Sequence, residues 1–212
     1  ENSVEKQRGI YEKNNIFIIG IDGRSGSGKT TVANESGKYL QLRKNNYQVI
    51  GLDITARLLK RGKEIIDQDK TNINIHLTCG DAMVMPFSNE SFNVVICGLA
   101  THHMNVPRML SEMRRVLKSG GRILIADAGG SHLWQLSIIK IIIRVAAFLY
   151  FLAVENISRA WAEAAAVSNV RTAEDWNAIL SQFGFVDIRI TELPSKGYWI
   201  PAPLVLEAIK SY

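Results

Sequence analysis

The stretch Ile16–Thr31, IFIIGIDGRSGSGKTT, constrains this chain more than any other. An unbroken apolar run of strand length leads into a glycine-rich turn and then into a helix start, the pattern of a parallel strand buried on both faces. Such a turn points backbone N–H groups and the positive end of a helix dipole at one spot, so an anionic ligand is expected there. Two spacings coincide in the loop. Gly23, Gly28, Lys29 and Thr30 satisfy G-x-x-x-x-G-K-[ST], the phosphate-cradling pattern. Asp22, Gly26 and Gly28 satisfy most of an acid–glycine pattern, D-x-G-x-G-x-G, in which Arg24 occupies the first glycine position.

The chain beyond the loop alternates helix and strand. A helix is expected over Thr30–Lys44, a second strand over Tyr47–Asp53, and a helix over Thr55–Asp69 with Leu58, Leu59, Ile65 and Ile66 as its apolar stripe. Ile73–Thr78 alternates apolar and polar residues and reads as a more exposed strand. A loop with Asp81 and Pro86 precedes the buried strand Asn93–Cys97. The helix Val106–Leu117 is expected to stop at Ser119-Gly120-Gly121, before the strand Arg122–Ala126. This alternation implies an α/β fold, a Rossmann-like, doubly wound, mostly parallel sheet with right-handed crossovers. Ligands collect beyond the carboxyl ends of such strands. The glycine loop, Asp53, Asp81 and the Gly98–His103 loop all fall there.

The pattern changes after Asp127. Leu133–Val154 is strongly apolar, but Lys140 and Arg144 stand inside it and argue against a spanning helix. A helix packed over the sheet, or a lid over an apolar pocket, is expected, with membrane-surface contact as a minor alternative. A helix follows over Ser158–Ser168, and a Thr172–Asp175 capping box opens another that ends at Phe183-Gly184. Phe185–Leu193 and Leu204–Ile209 read as the last strands. One domain over 1–212 is expected, with a lead-in at 1–15 and a helical insertion or lid at 131–170.

A net charge of +5 does not by itself point to nucleic acid. Arg57, Lys60, Arg61 and Lys63 share one helix and Arg114, Arg115 and Lys118 another, with no aromatic-interleaved stripe. No nucleic-acid partner is expected, while an anionic lipid or substrate is compatible with the charge. Four histidines and two cysteines in no ligand-like spacing give no reason to expect a metal site. Cys79 and Cys97 read as reduced, buried thiols, and no signal-peptide core or lipidation signal is recognised, so cytoplasm is the expected compartment.

The blocks QVIGLDIT, CGDAMVMPFSNESFNVVICGLATHHM, MLSEMRRVLKSGGRILIAD and TAEDWNAILSQFGFVDIRI resemble, in order and spacing, class I S-adenosylmethionine-dependent methyltransferases of the small-molecule, ubiquinone/menaquinone-biosynthesis type (methyltransferase type 11). The resemblance implies a seven-stranded sheet with helices on both faces and the last two strands antiparallel at one edge. It implies S-adenosylmethionine as cofactor and in-line methyl transfer to a small, hydrophobic acceptor. Asp53, with Ile54 beside it, would hold the ribose hydroxyls, and Asp81, Ala82 and Met83 would lie beside the adenine. Asp22, Gly26, Ser27 and Gly28 would cradle the methionine end, and Gly98, Leu99 and the residues to His102 would line the methyl-transfer side. His102 or His103 is a candidate proton acceptor, and Trp134, Tyr150, Trp161 and Tyr198 are candidate acceptor-lining residues. Phe17–Leu40 resembles instead the start of uridine-kinase-like P-loop phosphotransferases. There Lys29 would reach the phosphates of Mg-ATP or Mg-GTP and Thr30 would ligate the ion, with Asp53 or Asp127 as second acid. A third reading, motivated by Arg24, is a non-catalytic protein with an altered cofactor loop.

Overall fold

The computed structural model describes residues 16–21, 48–68, 74–98, 100–130, 136–194 and 202–212. Its strands are β1 (Ile16–Ile21), β2 (Gln48–Asp53), β3 (Asn74–Cys79), β4 (Phe92–Gly98), β5 (Leu117–Ala128), β6 (Phe185–Glu192) and β7 (Pro203–Lys210). They form one seven-stranded sheet in the order β3-β2-β1-β4-β5-β7-β6. The pairings from β3 through to β5 are parallel. Those of β7 with β5 and with β6 are antiparallel, so the sheet is mixed. The Rossmann-like class expected from the alternation is therefore present. The order reverses at β1, which lies between β2 and β4, and the carboxyl ends of β1 through β5 share one edge.

The described helices are α1 (Ala56–Gln68), α2 (Val106–Val116), α3 (Ser137–Val154), α4 (Ile157–Ala166) and α5 (Ala173–Gln182). In α2, Val106, Met109, Leu110, Met113 and Val116 are all buried, spaced to form one helical face. They share a core with Val95, Ile123, Ile125 and Leu206 of the sheet and with Trp176 and Leu180 of α5. The expected capping box opens α5: Thr172 Oγ1 accepts from the Asp175 amide, and the Asp175 carboxylate accepts from the Thr172 amide.

Four expectations are corrected. The Ser119-Gly120-Gly121 stretch does not stop a helix. Helix α2 ends at Val116, and the glycines lie inside β5, where pairing jumps from Phe92–Leu117 to Val94–Arg122. The bulge needs a left-handed residue, which Gly120 supplies at φ 71°. Cys79 is exposed, because β3 is the edge strand; Cys97, in central β4, is buried. Helix α3 has no buried residue and packs on α4 and the turn after it, not over the sheet. Tyr150 and Trp161 consequently stand on an outer surface, 61% and 63% exposed, instead of lining a pocket. The expected helix Thr30–Lys44 and the loop that opens it lie outside the described residues.

One clasp fixes the loop between β3 and β4. The Arg115 guanidinium donates to both Glu112 carboxylate oxygens at 2.7 Å and to the carbonyls of Met85 (2.9 Å) and Phe87 (2.7 Å). Glu112 also accepts the Met85 amide at 2.7 Å. These bonds, with the Arg115 side-chain bond foremost, hold the Glu112 carboxyl below its ordinary value against the opposing effect of burial. Hydrogen bonds to charged groups contribute roughly 1.5–3 kcal/mol each before coupling and solvent screening. Arg115→Met should therefore lower unfolding free energy by about 2 kcal/mol at neutral pH in a denaturant titration. The contribution of a depressed carboxyl is present above its unfolded pKa and lost as pH falls through its folded one. The gap between variant and parent should accordingly narrow in acid.

Candidate functional site

Strands β2 and β3 pair in register up to Asp53 opposite Cys79, and the Gly80 amide then donates to the Asp53 carbonyl at 3.0 Å. This extra bond carries the chain past the strand end and sets Asp81 beside Asp53. Position 80 leaves little room for a side chain: a Cβ would lie 3.0 Å from Leu52 Cδ1 and 3.1 Å from Pro86 Cδ. Asp53 is 8% exposed, and its Oδ1 accepts the Thr55 amide at 2.6 Å, where α1 begins. Asp81 is oriented the same way, its Oδ1 accepting the Met83 amide at 2.8 Å. The Asn105 amide, at the cap of α2, donates to Met83 Sδ at 3.3 Å and ties the two loops together.

These residues surround a cavity of about 430 Å³, a size in the range of small-molecule sites. Asp53, Ile54, Asp81, Ala82 and Met83 line one part of it, and His102, His103 and Met104 another. Val95, Ile96 and Cys97 come from the sheet, and Ala162, Ala165 and Ala166 from α4. Gly98 closes β4 and is not among the lining residues. Asp22, Arg24, Gly26, Ser27, Gly28, Lys29, Thr30, Leu99, Trp134 and Tyr198 lie outside the described residues.

A second set of groups was not singled out together in the sequence. Asp127, near the carboxyl end of β5, is 1% exposed, and its Oδ2 accepts the Trp176 indole N–H at 3.0 Å. Its Oδ1 lies 4.0 Å from His102 Nδ1, about 1 Å beyond a hydrogen bond. Thr101 Oγ1, His102 Nδ1 and Asp127 Oδ1 are buried with no hydrogen bond of good geometry among the described residues. Burial pushes the Asp127 carboxyl above its ordinary value, opposed by the Thr101 and Trp176 side chains, the Ala128 amide and the His102 charge. Asn169 donates to the His102 carbonyl at 2.9 Å, and Arg171 in turn donates to the Asn169 carbonyl at 2.7 Å. Arg171 also covers the Trp176 ring at 5.7 Å. The His103 ring lies 4.2 Å from that of His102, and its Nε2 is 3.9 Å from Glu163 Oε1, which Arg159 Nε approaches to 2.9 Å.

Chemically, two acids at strand ends suit hydroxyl and amine donors, and an imidazole beside a buried carboxylate suits a proton acceptor. No cluster of three or more His, Cys, Asp or Glu side chains suited to a metal occurs among the described residues. The signal for Asp127 was positional: it follows RILIA as Asp53 follows VIGL. Its contact with Trp176, 49 residues away, carries no sequence signal.

Solved structures that share this Rossmann-like fold include proteins described as methyltransferases. A protein of Bacillus halodurans described as a methyltransferase superposes with a TM-score of 0.63 at 19% identity, covering 99% of both chains. Phosphoethanolamine N-methyltransferase 2 of Haemonchus contortus, solved in complex with S-adenosyl-L-methionine, superposes with a TM-score of 0.62 at 16% identity, over 100% of this chain and 53% of that one. Residues 26–125 match the family model of a methyltransferase domain. The demethylmenaquinone methyltransferase of Staphylococcus haemolyticus is 45% identical over 83 residues, 38% of this chain and 33% of that protein. The chain thus spans about a third of the length of the curated relatives it matches.

The buried carboxyl gives a test. An acid whose folded pKa lies above its unfolded value loses stability as pH rises from the unfolded to the folded pKa, and keeps the deficit above both. Asp127→Asn retains an acceptor for the Trp176 indole and removes the charge. Thermal melts should show the variant more stable than the parent at neutral pH, with the gain vanishing as pH falls below the ordinary carboxyl range.

Proposed function

We propose that this protein transfers a methyl group from S-adenosylmethionine to a small, hydrophobic acceptor. The observation that carries the reading is the single cavity on which Asp53, Asp81 and His102 converge at the carboxyl edge of a sheet of this class. The donor set fits the cofactor: Asp53 and Asp81 supply oriented carboxylates for its nucleoside, and the sheet and helix residues around them are apolar. When bound, the cofactor supplies an already activated methyl group. The chain's own work is then to align the acceptor, exclude water and receive its proton. His102 is the proton acceptor in this reading, with Asp127 behind its Nδ1 as a positioning residue; His103 shares the cavity. Asp22, Gly26, Ser27, Gly28, Gly98 and Leu99 complete the cofactor site in the same reading. The free thiols agree with a cytoplasmic protein. The name of the Staphylococcus relative makes demethylmenaquinone the first acceptor to try. Lys29 and Thr30, on which the phosphotransferase reading rests, lie outside the described residues and have no support from the family match.

Calorimetric titration with S-adenosylhomocysteine tests the reading. The parent should bind, Asp53→Ala should bind about ten- to a hundredfold more weakly, and Lys29→Ala should bind as the parent does. Stabilisation by Mg-ATP alone, lost in Lys29→Ala, would overturn the proposal in favour of a kinase. Binding of neither ligand would point to a non-catalytic protein. With an acceptor in hand, His102→Gln should lower kcat roughly a hundredfold or more while leaving the affinity for S-adenosylhomocysteine unchanged.

A further inference from the structure

The edge of the sheet opposite the cavity, where β4 and β5 begin and β7 ends, carries a second recess, a cleft of about 490 Å³. Asn89, Glu90, Ser111, Arg114, Arg115 and Lys210 supply its polar lining. Arg115 is already neutralised by Glu112 in the clasp described above, so the charge balance lies between Arg114, Lys210 and Glu90. Arg114 has no acidic partner among the described residues. Its Nε donates to the Phe183 carbonyl at 2.8 Å and its Nη2 to Ser211 Oγ at 3.2 Å, both neutral acceptors. A helix C-terminus attracts cations by its dipole alone, but the last carbonyls of α2 are met otherwise. Those of Arg115 and Val116 accept the Glu90 and Ser91 amides at 3.0 and 2.8 Å. The Arg114 guanidinium is therefore fixed in its plane with N–H groups to spare. Lys210 is 8% exposed, a depth at which lysine is rare unless paired. Its Nζ donates to the Leu117 carbonyl at 2.6 Å and meets Glu90 Oε1 at 3.3 Å. The second distance exceeds the roughly 2.7–2.9 Å of a good charge-assisted bond. The Glu90 side chain is 58% exposed, so this pair is loose and screened by solvent.

We propose that this cleft binds a phosphate dianion, free or as the monoester of a small molecule. The groups around the two cations are donors. Ser111 brings its hydroxyl to the lining. Asn89 Oδ1 accepts from Arg115 Nη1 at 3.0 Å, which sets the amide and leaves its NH2 group to donate. A fixed guanidinium fork, an ammonium, a hydroxyl and a primary amide are what a phosphate oxyanion is recognised by. The lone acid stands at the rim, and with its carboxylate turned to solvent the two cations match a dianion. The cleft shares no lining residue with the cavity of Asp53 and His102, so phosphate binding here is independent of methyl transfer.

Calorimetric titration of the full chain with inorganic phosphate, at constant ionic strength in a phosphate-free buffer, tests the site. Binding should be millimolar or tighter. Arg114→Gln should weaken it about tenfold or more, and Glu90→Gln should tighten it about two- to fivefold. Lys29→Ala, in the glycine-rich loop, should leave it unchanged. Glycerol phosphate titrated in parallel separates the two sources of the anion. Tighter binding of the monoester assigns the cleft to a small phosphorylated molecule, and equal or weaker binding assigns it to phosphate itself. The Arg114 Nε–H resonance of the isotope-labelled parent should shift on saturation, a readout that stands even where Arg114→Gln folds poorly. No binding in the millimolar range, affinity unchanged in Arg114→Gln, an Arg114 resonance that does not move, or binding lost in Lys29→Ala would each overturn the proposal.

Discussion

The site depends first on the bond from the Gly80 amide to the Asp53 carbonyl. In a parallel ladder every strand enters from the same edge, so every strand ends at the same edge. Asp53, Asp81, the turn at Thr101–His103 and Asp127 are scattered over the chain and meet because their strands finish together. The bond past the end of β2 and β3 turns that coarse alignment into a specific one. It prolongs the ladder by one step at a position where Leu52 and Pro86 leave little room for a Cβ. It leaves Asp53 and Asp81 each closed on the amide two residues ahead. A carboxylate whose orientation is already set loses less conformational freedom when a ligand arrives.

The second constraint works against stability. Asp127 is among the most deeply buried charged side chains described, with one oxygen on the Trp176 indole and the other short of His102 by about 1 Å. A buried carboxyl with an unmet acceptor costs free energy that a leucine would not. Such a group beside a cavity is a functional candidate because packing alone does not require it. Its supports are themselves fixed: Trp176 is fully buried in α5, and the His102 backbone is held by Asn169.

The parts legible in the sequence were those with a local signature. Strand β1 follows from an apolar run, α5 from its capping box, and the acids at 53 and 81 from their place after apolar strands. The glycines at 120 and 121 were misread because a helix stop and a β-bulge ask for the same left-handed residue. Cys79 and Cys97 look alike in sequence and differ only because β3 is an edge and β4 is central. The pairing of Asp127 with Trp176 joins β5 to α5 across 49 residues, and no period or motif encodes it. Helix α3 was misread for a related reason. Apolar composition tells that a surface is to be covered and is silent on whether protein or lipid covers it.

Helix α4 is where cavity and surface meet, and its composition explains the division. Ala160 and Ala164 are buried, and Ala162 and Ala165 line the cavity, so this wall offers methyl groups and no hydrogen-bond partner. In the proposed methyl transfer, polar contacts to an acceptor would come from His102 and His103 on the opposite loop, with Glu163 and Arg159 near His103 from α4. A wall of this kind selects by volume. Each methylene gained or lost by an acceptor changes binding by only about 1–3 kcal/mol, so the wall discriminates shape weakly and polarity hardly at all. On the proposed function, discrimination between acceptors would therefore fall to the histidine side, where a mismatched hydrogen bond leaves a buried partner unpaired and costs more than a misfitted methylene.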